Sequence, residues 1–177
     1  MRWLNTRQEY GVVSKCLHWL IALLVIAMLI YGFLLGSFPR NWHHTVVMLH
    51  KSFGLIVLAL SLLRILWLWF HRKPDMLNNM SAWQQLLAEV VHFLLYIMLV
   101  ALPLSGWIMA TASNKPPVFF NWFSFAFPIP VDYRVASIAS DCHTVFAWIV
   151  IGLIALHVLG ALKHALIDKD DTLRRMC

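Results

Sequence analysis

The stretch CHTVFAWIVIGLIALHVLGALKHAL, residues 142 to 166, decides how this chain folds. It is long enough to cross a hydrocarbon core, which takes about 20 helical residues. Within it stand three histidines, His143, His157 and His164. A helix turns about 100° per residue, so the step from His143 to His157 completes four turns less about 40°. The two imidazoles therefore share a face, about 21 Å apart along the axis at the helical rise of 1.5 Å per residue. His164, one heptad further on, returns to the same stripe. Polar groups at membrane depth are costly, which makes each of these residues a functional hypothesis.

Three more apolar stretches of comparable length precede this one. The four predicted spans are residues 15–36, 46–70, 83–111 and 142–166. Of the 177 residues 61% are hydrophobic and only 12% charged, a membrane composition where soluble domains carry about a quarter charged residues. The expected fold is all-α, an integral membrane four-helix up-down bundle, with residues 1–177 forming a single domain. The first stretch reads as a span rather than a cleaved signal, because it is long and no small-residue cleavage site follows it before Phe38-Pro39-Arg40. Pro39, Pro74, Pro116-Pro117, Pro128 and Pro130 punctuate the connections, and Ser81-x-x-Gln84 predicts a capping box opening the third helix. The third connection, read as about thirty residues long, contains Phe119-Phe120-Asn121-Trp122-Phe123-Ser124-Phe125-Ala126-Phe127. Such aromatics collect at a membrane interface and place this segment along the outer surface, as a cap or as part of a substrate site.

Charge placement orients the bundle. Arg2, Arg7, Lys15, Arg72, Lys73, Lys163, Lys169, Arg174 and Arg175 fall on one side, and Arg40, Lys51, Lys115 and Arg134 on the other. The positive-inside rule makes both termini cytoplasmic. It also accounts for the net charge of +6, so nucleic acid is not called for as a partner. Cys16, Cys142 and Cys177 form no C-x-x-C pair, which excludes a zinc ribbon and covalently attached haem; small buried filler is the expected role.

Depth matching gives the histidines partners. His50 enters the second span from the outer side, level with His143. His18 lies one turn into the first span from the cytoplasmic side, level with His157. Two imidazoles facing each other from different helices at one level are the arrangement that bis-histidine haem ligation requires. The pairs His50/His143 (outer) and His18/His157 (inner) thus predict two haem b. They are too far apart for one compact zinc or copper site. Arg64, fourteen residues after His50, falls on the same face at the inner level, where a guanidinium suits a haem propionate. Gly32 and Gly54 leave room for a macrocycle or serve simple helix packing. His164 is an alternative inner ligand or a partner for quinone. His92, with Glu89 beside it, is a weaker rival to His18, and His43, His44 and His71 are read as solvated loop residues.

Several motifs in order then resemble a known family. They are Ser14-x-x-x-His18-Trp19, His50-x-x-x-Gly54 with Arg64, His92-x-x-x-Tyr96, and Ala101-Leu102-Pro103-Leu104-x-Gly106. His143 and His157, His164, and the tail Lys169-Asp170-Asp171-Thr172-Leu173-x-Arg175-Met176 complete them. Together they are similar to the prokaryotic cytochrome b561 family, over essentially the whole chain. The resemblance implies a multi-pass dihaem b cytochrome of the bacterial inner membrane, ligated by His18, His50, His143 and His157, with quinone as an electron partner.

The function expected is one-electron relay between an outer donor and quinone, as an oxidoreductase or an electron-transfer protein. One characterised type within the family oxidises superoxide and reduces ubiquinone. For that donor Lys51, beside His50, is the candidate steering cation, with Arg40, Lys115 and Arg134 behind it; positioning the helix start is its other reading. A second expectation is a cytochrome subunit fed by a separate dehydrogenase or hydrogenase, a redox partner protein not encoded in this chain. A third, disfavoured by the matched histidines, is a haem-free transporter or scaffold.

Overall fold

A computed structural model describes residues 3–71, 74 and 81–176. Four long helices dominate it: α1 Val12–Leu34, α2 His43–Phe70, α3 Ala82–Ala112 and α4 Tyr133–Lys163. Each is long and apolar enough to cross a membrane. They run up and down, successive helices packing as neighbours. Both termini consequently reach one end of the bundle, the terminal end, where the indole N–H of Trp19 donates to the carbonyl of Met176 at 2.9 Å. Of the charges counted for topology, Arg2, Arg72 and Lys73 lie outside the described residues, as does Cys177.

Most helix limits fall within a few residues of the predicted ones, and the capping box forms, the Ser81 N–H donating to Gln84 Oε1 at 3.2 Å. The exception is α4, which begins nine residues before Cys142. Asp132 caps it, its carboxylate accepting from the backbone N–H groups of Arg134 and Val135 at 2.8 and 3.2 Å. The first turns, Tyr133-Arg134-Val135-Ala136-Ser137-Ile138-Ala139-Ser140-Asp141, are too polar to count as a span, and the Asp132 cap starts the helix ahead of them. His143 therefore lies about three turns inside α4 rather than at its start, and the third connection covers only residues 113–132. A second difference concerns His43 and His44, which occupy the first turn of α2, not a loop, with exposed side chains. His71, just past the end of α2, stacks on Trp67 at 3.7 Å between ring centroids. Cys16 also departs from expectation: it sits on the exposed face of α1 and fills no interior space.

The buried layer is small because the outward faces meet lipid, not water. Trp19, Leu23, Ile30, Leu63 and Leu159 are all exposed. The interior cluster comprises Ile21, Val25, Val57 and Val150, with Met98, Leu102 and Ile154 packed against it. Val25 stands seven residues after His18, Val57 seven after His50, and Val150 midway between His143 and His157. An aliphatic layer thus separates two polar levels, about 10 Å from each at the helical rise.

The connection between α3 and α4 carries a two-stranded hairpin, β1 Val118–Phe119 and β2 Phe123–Ser124, antiparallel with Val118 opposite Ser124. It covers the loop end as the aromatic run predicts. Trp107 stacks on Phe125 at 5.1 Å, and Trp122 at the tip is 80% exposed. Ser52 of α2, fully buried, anchors the hairpin: its hydroxyl accepts from the Phe120 N–H at 3.0 Å and donates to the Met48 carbonyl at 2.9 Å.

Candidate functional site

Two histidine pairs face each other across the interior, one on each side of the aliphatic layer. Near the terminal end His18 of α1 meets His157 of α4, ring centroids 6.1 Å apart and planes inclined at 69°. Toward the loop end His50 of α2 meets His143 of α4, at 6.4 Å and 80°. The pairings anticipated from depth are the ones the fold brings together. They arise because α1 and α4 run antiparallel, so that His18 early in α1 meets His157 late in α4. By contrast α2 and α4 run parallel, so that His50 and His143, both in the first half of their helices, meet at the other level. α4 packs closely along α3, while α1 and α2 reach it through interior side chains rather than close backbone approach.

The surroundings of the pairs differ. His143 is held by α3: its Nδ1 lies 2.9 Å from the Leu102 carbonyl oxygen and 3.1 Å from Ser105 Oγ. Gly106 lies against the same ring, where a Cβ would come within 2.9 Å of Cε1. His50 stacks on Tyr31 at 6.0 Å, and a Cβ on Gly32 would stand 3.3 Å from its Cε1. Its Nδ1 is buried with no hydrogen-bond partner among the described residues. A Cβ on Gly54 would meet nothing within 4 Å, so that position is open.

At the terminal-end pair a third ring joins. His92 of α3 approaches His157 edge-on at 5.1 Å, while Trp19 packs edge-on against His18 at 5.2 Å. Arg64 is 8% exposed at this level, with its NH1 3.4 Å from the Ser14 carbonyl and its guanidinium 6.0 Å from the Tyr96 ring centre. No carboxylate of the described residues forms an ion pair with it. A buried cation so placed favours an anion.

His164 does not join either facing pair. It opens a five-residue π-helical turn, His164–Asp168, where its Nδ1 lies 2.8 Å from Asp170 Oδ2 and 3.1 Å from Asp168 Oδ2. Burial pushes the Asp170 carboxyl up, but hydrogen bonds from Thr172 and His164 outweigh it and hold the group below the ordinary carboxylate value. Asp168, four residues on, lies within ordinary helical reach of His164, whereas Asp170, six residues on, is brought back to it by the π-turn that the regular helical period does not foresee. Lys51 directs its ammonium to the Lys115 carbonyl at 2.8 Å, so it ties the long connection to α2 and sits beside a second cation.

These features fit a planar group gripped between two imidazoles. A metal–imidazole bond of about 2 Å on each side of one ion, plus about 1 Å from each nitrogen to its ring centre, puts trans ring centres about 6 Å apart. Both facing pairs have that separation, and the His92–His157 contact is shorter. Gly32 and Gly106 leave the His50 and His143 rings the space they occupy, and the His50 Nδ1 is a buried polar atom with no partner among the described residues.

The fold and the paired imidazoles define a class, the helical-bundle b cytochromes of membranes. Residues 9–177 match the profile of the prokaryotic cytochrome b561 family, and the chain belongs to that family. It is 36% identical to cytochrome b561 homolog 2 of Escherichia coli (strain K12), over 99% of this chain and 95% of that protein. It is 30% identical to a probable superoxide oxidase CybB of Yersinia pestis, over 96% of each. A third relative, cytochrome b561 homolog 1 of Escherichia coli (strain K12), is 32% identical over 90% of this chain and 92% of its own length. Membership makes this a haem b-binding, multi-pass electron-transfer protein of the bacterial inner membrane.

Proposed function

We propose that the chain is a dihaem b cytochrome that relays single electrons across the inner membrane between an outer donor and quinone. The observation that carries this reading is the recurrence of one ring separation, 6.1 and 6.4 Å, at two levels of the bundle. His18 and His157 hold the inner haem, and His50 and His143 the outer one. Haem b held between two imidazoles supplies reversible one-electron chemistry with no open iron position for oxygen to occupy. Arg64 offers its guanidinium to a propionate at the inner level, and Val25, Val57 and Val150 keep water out of the layer between. His164, buried at the edge of the terminal end and clamped by Asp168 and Asp170, is placed to hydrogen-bond a quinone from the bilayer.

Superoxide is the donor this reading favours, supported by the likeness to the probable superoxide oxidase CybB of Yersinia pestis and by Lys51, next to His50 in α2, whose ammonium meets the Lys115 carbonyl. Two superoxide anions would each lose one electron to give oxygen. One ubiquinone would take both electrons with two protons to give ubiquinol. Lys51 and Lys115 would raise the local concentration of the anion.

Haem quantification on detergent-purified protein tests the scheme: two haem b per chain are expected, and about one or none overturns it. His157→Ala should lose one haem and keep the other; if His164→Ala abolishes that haem instead, the depth assignment is wrong. Superoxide-driven ubiquinone reduction by the pure protein supports the donor. Its failure in a preparation with both haems, with a dehydrogenase or hydrogenase co-purifying, assigns the chain to the subunit role.

A further inference from the structure

The outer histidine pair is oriented by a helix that contributes no histidine to it. In α3 the run Leu102-Pro103-Leu104-Ser105-Gly106 presents three groups to one side of the His143 ring. The Leu102 carbonyl oxygen is 2.9 Å from Nδ1, Ser105 Oγ is 3.1 Å from Nδ1, and Gly106 leaves the ring its space. The Ser105 hydroxyl is itself bonded to the Leu102 carbonyl at 2.7 Å. A carbonyl oxygen only accepts, so at 2.9 Å the Nδ1 must carry the hydrogen. Were Nδ1 bare, two acceptors would confront each other with a single hydroxyl hydrogen between them. The tautomer is thereby decided: Nδ1–H points to α3, and the Nε2 lone pair is free on the other side of the ring.

We propose that Leu102, Ser105 and Gly106 form a positioning socket for His143, and that the Ser105 hydroxyl tunes the electron affinity of the outer centre through that ring. This rests on the reading of His143 as the outer haem ligand. Besides its place in the helical ladder, the Leu102 oxygen accepts from Nδ1–H and from Ser105 Oγ–H, which compete for its electron density. Removing the hydroxyl takes away one competitor of Nδ1–H for the carbonyl, makes the imidazole a stronger electron donor, and so stabilises the oxidised state of whatever metal Nε2 holds. His50 has no such device, because its Nδ1 is buried without a partner among the described residues. Control of the outer centre by the protein thus runs through α4 and α3, not through α2.

The opposing explanation is that Ser105 and Gly106 are small only so that α3 and α4 can pack. A potentiometric titration of the purified, haem-loaded protein separates the two. With the socket, Ser105→Ala lowers the midpoint of one haem component, or loses that haem selectively, and leaves the other unchanged. Ser105→Thr restores the wild-type midpoint. Ser105 also borders an apolar groove of about 370 Å³ between α3 and α4, lined by Ala101, Ile108, Ala139 and Cys142, which accommodates the added methyl. Gly106→Ala, whose Cβ would press on the ring, removes the same haem component. If Ser105→Ala leaves both midpoints where they were, shifts both equally, or is not rescued by threonine, the socket falls. His143→Ala keeps the two ideas apart. Loss of one haem in that variant with a silent Ser105→Ala spares the ligand reading and overturns the socket; retention of two haems overturns both.

Discussion

Arg64 shows how much one residue can do at membrane depth. A guanidinium costs several kcal/mol to bury and persists there only with compensation. Its observed neighbours, the Ser14 carbonyl at 3.4 Å and the Tyr96 ring at 6.0 Å, compensate it weakly. A positive charge at the level of His18 and His157 also favours the more electron-rich state of a redox centre between them. At an effective dielectric near 20, unit charges about 8 Å apart interact by about 2 kcal/mol. On the proposed dihaem reading, Arg64→Gln should therefore lower the midpoint potential of the inner haem by tens of millivolts and leave the outer one in place. A redox titration in which the two components move together, or not at all, would remove Arg64 from the inner site.

At the scale of elements, a buried hydroxyl, that of Ser52, pins the turn of the hairpin over the loop end. Phe120 and Asn121 in its turn have φ of 45° and 62°, a left-handed conformation costly for a residue as bulky as phenylalanine. The turn is maintained by the Phe120 N–H bond to Ser52 and by the Phe120 ring packed edge-on against Phe53 at 5.4 Å. Ser52→Ala leaves that N–H buried without a partner and should destabilise the hairpin by about 1–3 kcal/mol. Limited proteolysis of the 113–132 connection should then be faster, with the haem content of the bundle unchanged. Equal cleavage of variant and parent would show that the aromatic packing alone holds the strands.

For the whole molecule, the asymmetry of Lys and Arg predicts an orientation that the bundle geometry leaves open. Both termini share one end, and the rule places that end in the cytoplasm. Alkaline phosphatase fused at residue 121 should be active and the same enzyme fused after residue 176 inactive; the reverse pattern would invert the bundle and exchange the proposed inner and outer levels. Orientation matters because Lys51 and Lys115 meet periplasmic solutes only if the loop end faces outward.

What the sequence determined by itself was the part governed by local period and by the hydrocarbon core. Four spans, their alternation, and the depths of His18, His50, His143 and His157 all follow from a rise of about 1.5 Å per residue within a slab of fixed thickness. Hydropathy could not find the true start of α4, because Asp132 and the polar turns after it extend the helix beyond the apolar run. Nor could periodicity find the partners that other helices supply. The hold of α3 on His143 and the edge-on approach of His92 to His157 depend on which helix packs beside which, and the return of Asp170 to His164 depends on a π-turn. Intrahelical spacing places a ligand at its level in the membrane; only tertiary packing chooses its hydrogen-bond acceptor and its tautomer, because those atoms come from chain dozens of residues away. The stretch from residue 142 to 166 thus names its two facing imidazoles alone, and needs α1, α2 and α3 to orient them.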